Sequence, residues 1–113
     1  MKRIYVASPL SAPTPAGVRA NVQRVWALCK AVLAEGHAPF APHGFYPAFL
    51  DDSVASERAA GMDAGLTWLG AADELWVYTK AGISVGMAME MRVFGARLEP
   101  KVVYDPECWA GIE

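Results

Sequence analysis

The stretch that most constrains the fold runs from Asp73 to Gly95, where the pattern of residues predicts a strand, a loop and a helix. The strand is predicted over Leu75–Tyr78, a short apolar run of the kind that is buried on both faces of a sheet. Ser84 is a good N-cap for the helix that follows, and Gly86 leaves the backbone open to close approach. Apolar residues then recur at helical spacing until Gly95 and Pro100 end the pattern: Met87, Met91, Phe94 and Leu98.

Glu90 lies inside this apolar stripe, and no Lys or Arg stands three or four places away to pair with it. Two interpretations follow from this position. In the first, the carboxylate forms a salt bridge with a basic residue of another element, such as Arg3, Arg19 or Arg58. In the second, it is held in a cleft with its pKa raised by desolvation, and it serves as a catalytic group.

The remaining elements predict an α/β fold in three layers, with a Rossmann- or flavodoxin-like parallel sheet of four to five strands flanked by helices. Prolines restrict the second strand to an edge of the sheet. We expect one domain over residues 1–113, with Trp109 docked on the body or on a neighbour. The other predicted strands are Ile4–Ala7, His37–Ala41 and Lys101–Tyr104, and the other predicted helices run from Thr14-Pro15 to Gly36 and from Ser53 or Ser56 to Ala71.

Ligands of open α/β sheets bind beyond the carboxyl ends of the strands, so three loops are expected to meet at one crevice: Ser8 to Ser11, Pro42 to Tyr46 and Thr79 to Ser84. The aromatic segment from Pro42 to Asp52 is expected to cover this site. There, His43, Phe45 and Tyr46 are suited to stack on a base or close over a sugar. The alternative is a packed loop in which the histidine is satisfied by the protein.

The helix that ends at Ala71 is expected to face the core through Met62, Leu66 and Leu69. Gly61 and Gly65 lie about one turn apart on it. Because each glycine costs about 1 kcal/mol relative to alanine inside a helix, this pair indicates close approach by a second subunit or by the covering segment. Asp73 and Glu74, after this helix, are expected to be exposed.

Composition narrows the class of partner. The 113 residues are 54% apolar with a formal net charge of −2, which favours a small-molecule ligand over a nucleic acid polymer. Cys29 and Cys108 have no closely spaced partner and predict reduced thiols, with no metal site and no cofactor. No run approaches the roughly 18 apolar residues of a spanning helix, so we expect no membrane association and a cytoplasmic protein.

The run from Ser84 to Glu90, SVGMAME, after an Ala-Asp-strand segment resembles the signature of the nucleoside 2-deoxyribosyltransferase superfamily, which includes deoxynucleoside 5′-monophosphate N-glycosidases. The resemblance implies that Glu90 is the nucleophile at C1′ of the sugar and that Tyr5, in the first strand, lies beside it. It also implies that Ser84 and Gly86 cradle the 5′ end or its phosphate, with Ser8 near the sugar. Members associate at least as dimers, so a homo-oligomer is expected.

One position departs from the family. The superfamily carries an aspartate on the helix before the central strand that holds a sugar hydroxyl, and its place falls at Gly65 here. Asp63 is two residues away, about 200° around a helix, so it replaces that aspartate only if the helix is shifted. Asp63 is therefore kept as a weaker binding candidate.

The resemblance implies cleavage of the N-glycosidic bond of a nucleoside or its 5′-monophosphate, by hydrolysis or by transfer to a second base. Two alternatives remain. One is a nucleotide-binding module or sensor that lacks the chemistry, which the departure at Gly65 favours. The other is a structural subunit whose apolar surface serves assembly.

Overall fold

The computed structural model describes residues 1–113 and has an α/β fold built on a four-stranded sheet. The strands follow one another in the spatial order β2-β1-β3-β4, and all three neighbouring pairs are parallel. The predicted fold class is confirmed, and the second strand does lie at an edge. The strands are β1 (Arg3–Ala7), β2 (Ala38–Phe40), β3 (Glu74–Val77) and β4 (Val102–Tyr104).

Helices cover both faces of the sheet, which gives three layers. Because side chains alternate along a strand, Ile4 and Val6 of β1 face one layer while Tyr5 and Ala7 face the other. The first layer holds α1 (Pro15–Ala34) and the C-terminal turn with Trp109, and the second holds α2 (Ala55–Ala71) and α3 (Val85–Gly95). The alternation therefore places Tyr5 on the same side of the sheet as α3.

Two of the predicted helix starts are confirmed by their caps. The Thr14 hydroxyl accepts the Gly17 N–H at 3.1 Å, and the Ser84 hydroxyl accepts the Met87 N–H at 3.1 Å. Each bond satisfies a backbone donor that has no partner within the helix. The start of α3, and with it the face that Glu90 presents, is thus fixed by a local signal.

The predicted start and core line of α2 were wrong in part. The helix begins at Ala55 with no side-chain cap, because the Ser53 hydroxyl donates instead to Asp51 at 2.6 Å. Leu69 is fully buried as predicted, whereas Met62 is 41% exposed. Its place in the predicted core line was therefore wrong.

The end of α3 agrees with the prediction in part. The helix stops at Gly95, one of the two predicted stops, whereas Leu98 is fully exposed beyond it and does not belong to the apolar stripe. The guanidinium of Arg97 donates to the carbonyl oxygens of Leu69 and Ala72 at 2.6 Å each, at the end of α2. These bonds satisfy carbonyls that the end of a helix leaves without partners, and they tie α2 to α3.

Glu74 is buried, so its expected exposure was wrong. Its carboxylate accepts from Lys2 Nζ at 2.8 Å and from Trp76 Nε1 at 2.9 Å, and these contacts keep its pKa below the usual value although burial opposes them. Asp73 is exposed as expected and pairs with Arg3 at 3.2 Å.

The C-terminal turn packs on the body of the protein. Trp109 is fully buried, and its Nε1 donates to the Leu28 carbonyl of α1 at 3.1 Å. Of the two alternatives for this tail, docking on the body is therefore confirmed. None of the helices combines the length and the apolar composition that crossing a bilayer requires.

Candidate functional site

Glu90 lies at the inner wall of a cleft between α2, α3 and the segment after β2. The residue is only 7% exposed, and its Oε1 is buried without a hydrogen-bond partner. The three ion pairs of the chain join Lys2 and Lys101 to Glu74 and Arg3 to Asp73, so none involves Glu90. The salt-bridge interpretation of this carboxylate was therefore wrong.

Burial raises the pKa of Glu90 to about 7, because a low-dielectric wall disfavours the charged form. The Tyr5 phenol lies close enough to oppose this rise, although no hydrogen bond of good geometry reaches Oε1. The pKa of Tyr5 is itself raised, first by burial and then by the charge of Glu90. The phenol therefore stays protonated and serves only as a donor or a wall to the carboxylate.

The cleft has a cavity volume of about 80 Å³ and opens to solvent at its mouth. Most of the wall surface is apolar, and the buried residues Glu90 and Tyr5 are part of the wall. The wall residues from the segment 42–52 are Pro42, His43, Tyr46, Pro47, Leu50 and Asp52, and those from α3 are Gly86, Met89 and Glu90.

Aromatic side chains of the segment 42–52 form a cluster at the mouth of the cleft. Tyr46 lines the cleft, and its ring lies 5.1 Å from that of Phe45 and 5.7 Å from that of Phe49. Phe40 and Trp68, with ring centroids 5.1 Å apart, extend the same cluster over α2. Phe45 is 51% exposed and is not part of the wall. Of Phe45 and Tyr46, which were both predicted to cover the ligand, only Tyr46 therefore lines the cleft.

His43 lines the cleft, and Ser8 holds its ring in place. His43 Nδ1 lies 2.7 Å from the Ser8 carbonyl oxygen, which accepts only, so Nδ1 carries the proton. Ser8 is fully buried and does not line the cleft, and its hydroxyl has no partner. The structure thus separates the two predicted binding residues, with His43 in the wall and Ser8 behind it.

Of the two residues predicted to cradle a phosphate, only Gly86 lines the cleft. The Ser84 hydroxyl is engaged as the cap of α3, and no residue from 79 to 84 contributes to the wall. The expected convergence of three loops is therefore corrected: Leu10 and the segment after β2 take part, and the third contribution comes from α3 itself.

Asp63 lies outside the site, so its proposed binding role was wrong. It is exposed and is not part of the wall, whereas Gly65, two residues on, is buried and lines the cleft. The helix is not shifted to bring the carboxylate inward. The position that carries an aspartate in the resembling superfamily therefore faces the cleft without a carboxylate.

Three charged wall residues, Asp52, Glu57 and Arg58, were not predicted as site residues, although one signal for Arg58 was present. Arg58, Gly61, Met62, Gly65 and Leu66 all line the cleft, and their spacing of three, four, seven and eight marks one helix face. Glu57 and Asp52 complete the rim near Arg58. No group of three His, Cys, Asp or Glu side chains is arranged to hold a metal ion.

The two glycines of this face offer a matched test of packing. A Cβ at Gly65 would lie 3.3 Å from the Tyr5 hydroxyl and 3.4 Å from Pro42, whereas one at Gly61 would make ordinary contact with Leu50 at 3.4 Å. We expect Gly61→Ala to raise the free energy of unfolding by roughly 0.5–1 kcal/mol, and Gly65→Ala to gain less because Tyr5 must shift. Urea unfolding measures both, and an equal gain would show that Gly65 is not crowded.

The chain was compared with known protein families and with curated proteins. Residues 2–104 match the family model described as Domain of unknown function (DUF7768). None of the curated proteins matches the chain.

Proposed function

For this chain, which belongs to the DUF7768 family of unknown function, we propose cleavage of the N-glycosidic bond of a nucleoside or its 5′-monophosphate. Glu90 is the nucleophile in this proposal. The observation that carries it is a buried carboxylate without an ionic partner that lines an open, largely apolar cleft. Burying an unpaired carboxylate costs folding free energy, and side chains that carry such a cost are often found at functional sites.

The chemistry fits a carboxylate with an unoccupied oxygen. As the base leaves, positive charge develops at C1′, and a carboxylate on the opposite face of the sugar stabilises it and then forms a covalent glycosyl ester. Oε1 of Glu90 is fully buried and has no hydrogen bond, so the other carboxylate oxygen would be the one that meets C1′. The pKa of about 7 makes the free carboxylate basic, and the developing cation favours its ionised form.

Residue positions add support from the resemblance to nucleoside 2-deoxyribosyltransferases. Glu90 and Tyr5 stand at the places of that superfamily's nucleophile and its tyrosine, and both line the same cleft. Tyr46, Met62 and Met89 give this cleft an apolar wall against which a nucleobase can pack. A 5′-phosphate would meet Arg58 and the N-terminus of α3 at Gly86.

We further propose that a second copy of the chain covers the mouth of the cleft, as dimers of that superfamily do. Large apolar side chains remain exposed at this face: Met62 lines the cleft, and Phe45 and Phe49 contact the Tyr46 ring. Sedimentation equilibrium should return a multiple of the 12.2 kDa mass of the chain. A monomer at all concentrations would remove this part of the proposal.

A nucleotide-binding module without chemistry is the second candidate, and the lack of a carboxylate at Gly65 favours it. A sugar hydroxyl would then have one partner fewer in the cleft, which weakens the alignment of C1′ with Glu90. This candidate predicts that nucleotides bind and raise the melting temperature while no free base appears.

A panel of nucleosides and 5′-monophosphates incubated with the protein separates the two candidates. Free base is read out by chromatography, once with water alone and once with a second base added. Glycosidic cleavage predicts release of at least one base, and a new nucleoside in the second arm identifies transfer. Binding without any release would leave the module as the function.

Tyr5→Phe tests the partnership between the phenol and the nucleophile. Removing the hydroxyl takes away the interaction that lowers the pKa of Glu90, so this pKa rises above about 7. Because the ionised carboxylate is the active form, the acidic limb of kcat/KM for base release should move to higher pH. Tyr46→Phe, which removes a phenol from the same cleft, should leave that limb in place. A limb that is unchanged in Tyr5→Phe would contradict the assignment.

A further inference from the structure

The imidazole of His43 is held in a defined orientation within the cleft. Its Nδ1–H donates to the Ser8 carbonyl oxygen at 2.7 Å, and Ser8 itself is fully buried at the end of β1. Since a carbonyl cannot donate, Nε2 is left with its lone pair when the ring is neutral. The buried carbonyl of Ser8 therefore fixes both the tautomer and the position of the His43 ring.

Nε2 is accessible. It makes no hydrogen bond within the protein, and it is not among the buried polar atoms that lack a partner. His43 is a wall residue, so the ring that carries this accessible nitrogen borders the space that a ligand would occupy. The same cleft therefore holds a carboxylate and a free acceptor nitrogen. Attack by the carboxylate on C1′ does not require this nitrogen, so it is available for another step.

We propose that His43 is the general base that removes a proton from the water that attacks the glycosyl–Glu90 ester. This inference rests on the proposed glycosidic function. It assigns to His43 a proton transfer in place of the base stacking that the sequence predicted.

The step balances as follows. Water oxygen attacks C1′ while one of its protons passes to His43 Nε2, and the bond from C1′ to the Glu90 oxygen breaks with its electron pair returning to the carboxylate. The sugar leaves with a new hydroxyl at C1′. The imidazolium then gives its proton to solvent, which supplies the proton that the departed base requires, so both side chains end as they began.

Four of the other polar wall groups are less suited to this step. Glu90 is esterified when water attacks, and Tyr5 is a protonated phenol whose pKa is raised. Glu57 accepts the Asp51 N–H at 3.2 Å near the rim, and Arg58 carries no acceptor. Burial lowers the pKa of His43, against the opposing effects of the Ser8 carbonyl and of Asp52, so the ring is neutral and ready to accept a proton at neutral pH.

His43→Gln tests the inference by separating the two steps. Gln retains an N–H for the Ser8 carbonyl but cannot take the proton of water. With a nucleoside that the wild type cleaves, we expect a burst of one free base per active site at close to the wild-type rate. Steady-state hydrolysis should then be slower by about 10²–10⁴-fold. The burst amplitude also counts folded sites, so loss of folding is not mistaken for loss of the base.

Azide provides the second measurement, because it is an anionic nucleophile that needs no general base. Added to His43→Gln, it should restore turnover and yield the glycosyl azide, while giving wild type little gain. Wild-type hydrolysis in His43→Gln, an equal fall of burst and steady-state rates, or no effect of azide would each overturn the inference. Suppose that one of these results is obtained and that Glu90→Gln still abolishes base release. The proposed function then stands, and only the role of His43 is lost. If wild type releases no base from any substrate, both fail together.

Discussion

Replacing Glu90 with Gln is expected to abolish base release, lowering kcat/KM by roughly 10⁴-fold or more, as removal of a catalytic nucleophile does in other covalent mechanisms. Gln keeps the size of the side chain but has no anionic oxygen to attack C1′ or to stabilise the cation that develops there. Because Oε1 of Glu90 has no hydrogen bond in the protein, the substitution breaks no network at that atom. The loss should therefore appear in chemistry rather than in folding.

The measurement is base release by chromatography with the best substrate of the wild type, accompanied by ligand binding to the same variant. Glu57→Gln is the matched control, since it removes a carboxylate from the same cleft while keeping the oxygen that accepts the Asp51 N–H. We expect the control to stay within about tenfold of wild type, because rim charges act mainly on binding. Equal losses in both variants would indicate a general charge effect and not a nucleophile.

The second large effect concerns stability and needs no substrate. The pKa of Glu90 is raised from 4.5 to about 7 on folding, so the folded state holds this proton more tightly than the unfolded chain. Its contribution to stability is fully present below the unfolded pKa and is lost as pH rises through about 7. By linkage, the loss across this window is on the order of 3 kcal/mol.

Glu90→Gln should lack this loss. Relative to wild type, the variant should gain stability as pH rises, so that the difference in free energy of unfolding grows by ~3 kcal/mol between about pH 4 and about pH 8. Urea unfolding of both proteins across this range measures the difference, and the subtraction removes other titrating groups such as His43. A difference that does not change with pH would mean that the carboxyl is solvated or paired in solution.

The sheet and the place of Glu90 could be predicted from local signals. The apolar run Leu75–Tyr78 identifies a strand buried on both faces, and the Ser84 cap fixes where the next helix begins. With the start fixed, helical periodicity puts Glu90 on the same face as Met87 and Phe94, which are buried. The expectation that Tyr5 lies beside that face came from the resemblance to a known family and not from the strand pattern.

What could not be predicted depends on contacts between distant segments. The first turn of α2 has no side-chain cap, so its start is decided by the preceding segment rather than by Ser53 or Ser56. The Glu74 carboxylate is held by Lys2, which precedes the neighbouring strand β1, and by Trp76, two residues along its own strand. The sequence near Glu74 does not reveal the pairing with Lys2.

The orientation of α2 determines which of its residues reach the cleft. Counting from a resembling family placed its aspartate at Gly65 but could not decide whether Asp63 compensated, and the structure leaves Asp63 exposed. The helical spacing from Arg58 to Leu66 was visible in the sequence. That spacing alone does not predict a cleft, because the opposite wall is formed by the segment 42–52, whose position the helical spacing does not specify.

Trapping the covalent intermediate tests the central claim most directly. A nucleoside with fluorine at C2′ of the sugar destabilises the cationic transition states, so the glycosyl ester should persist long enough for mass spectrometry of the protein and its peptides. We predict one added glycosyl group per chain, on the peptide that contains Glu90, and none in Glu90→Gln. Release of free base from the wild type with an unmodified protein, or a label on any other residue, would contradict the claim that this carboxylate attacks C1′.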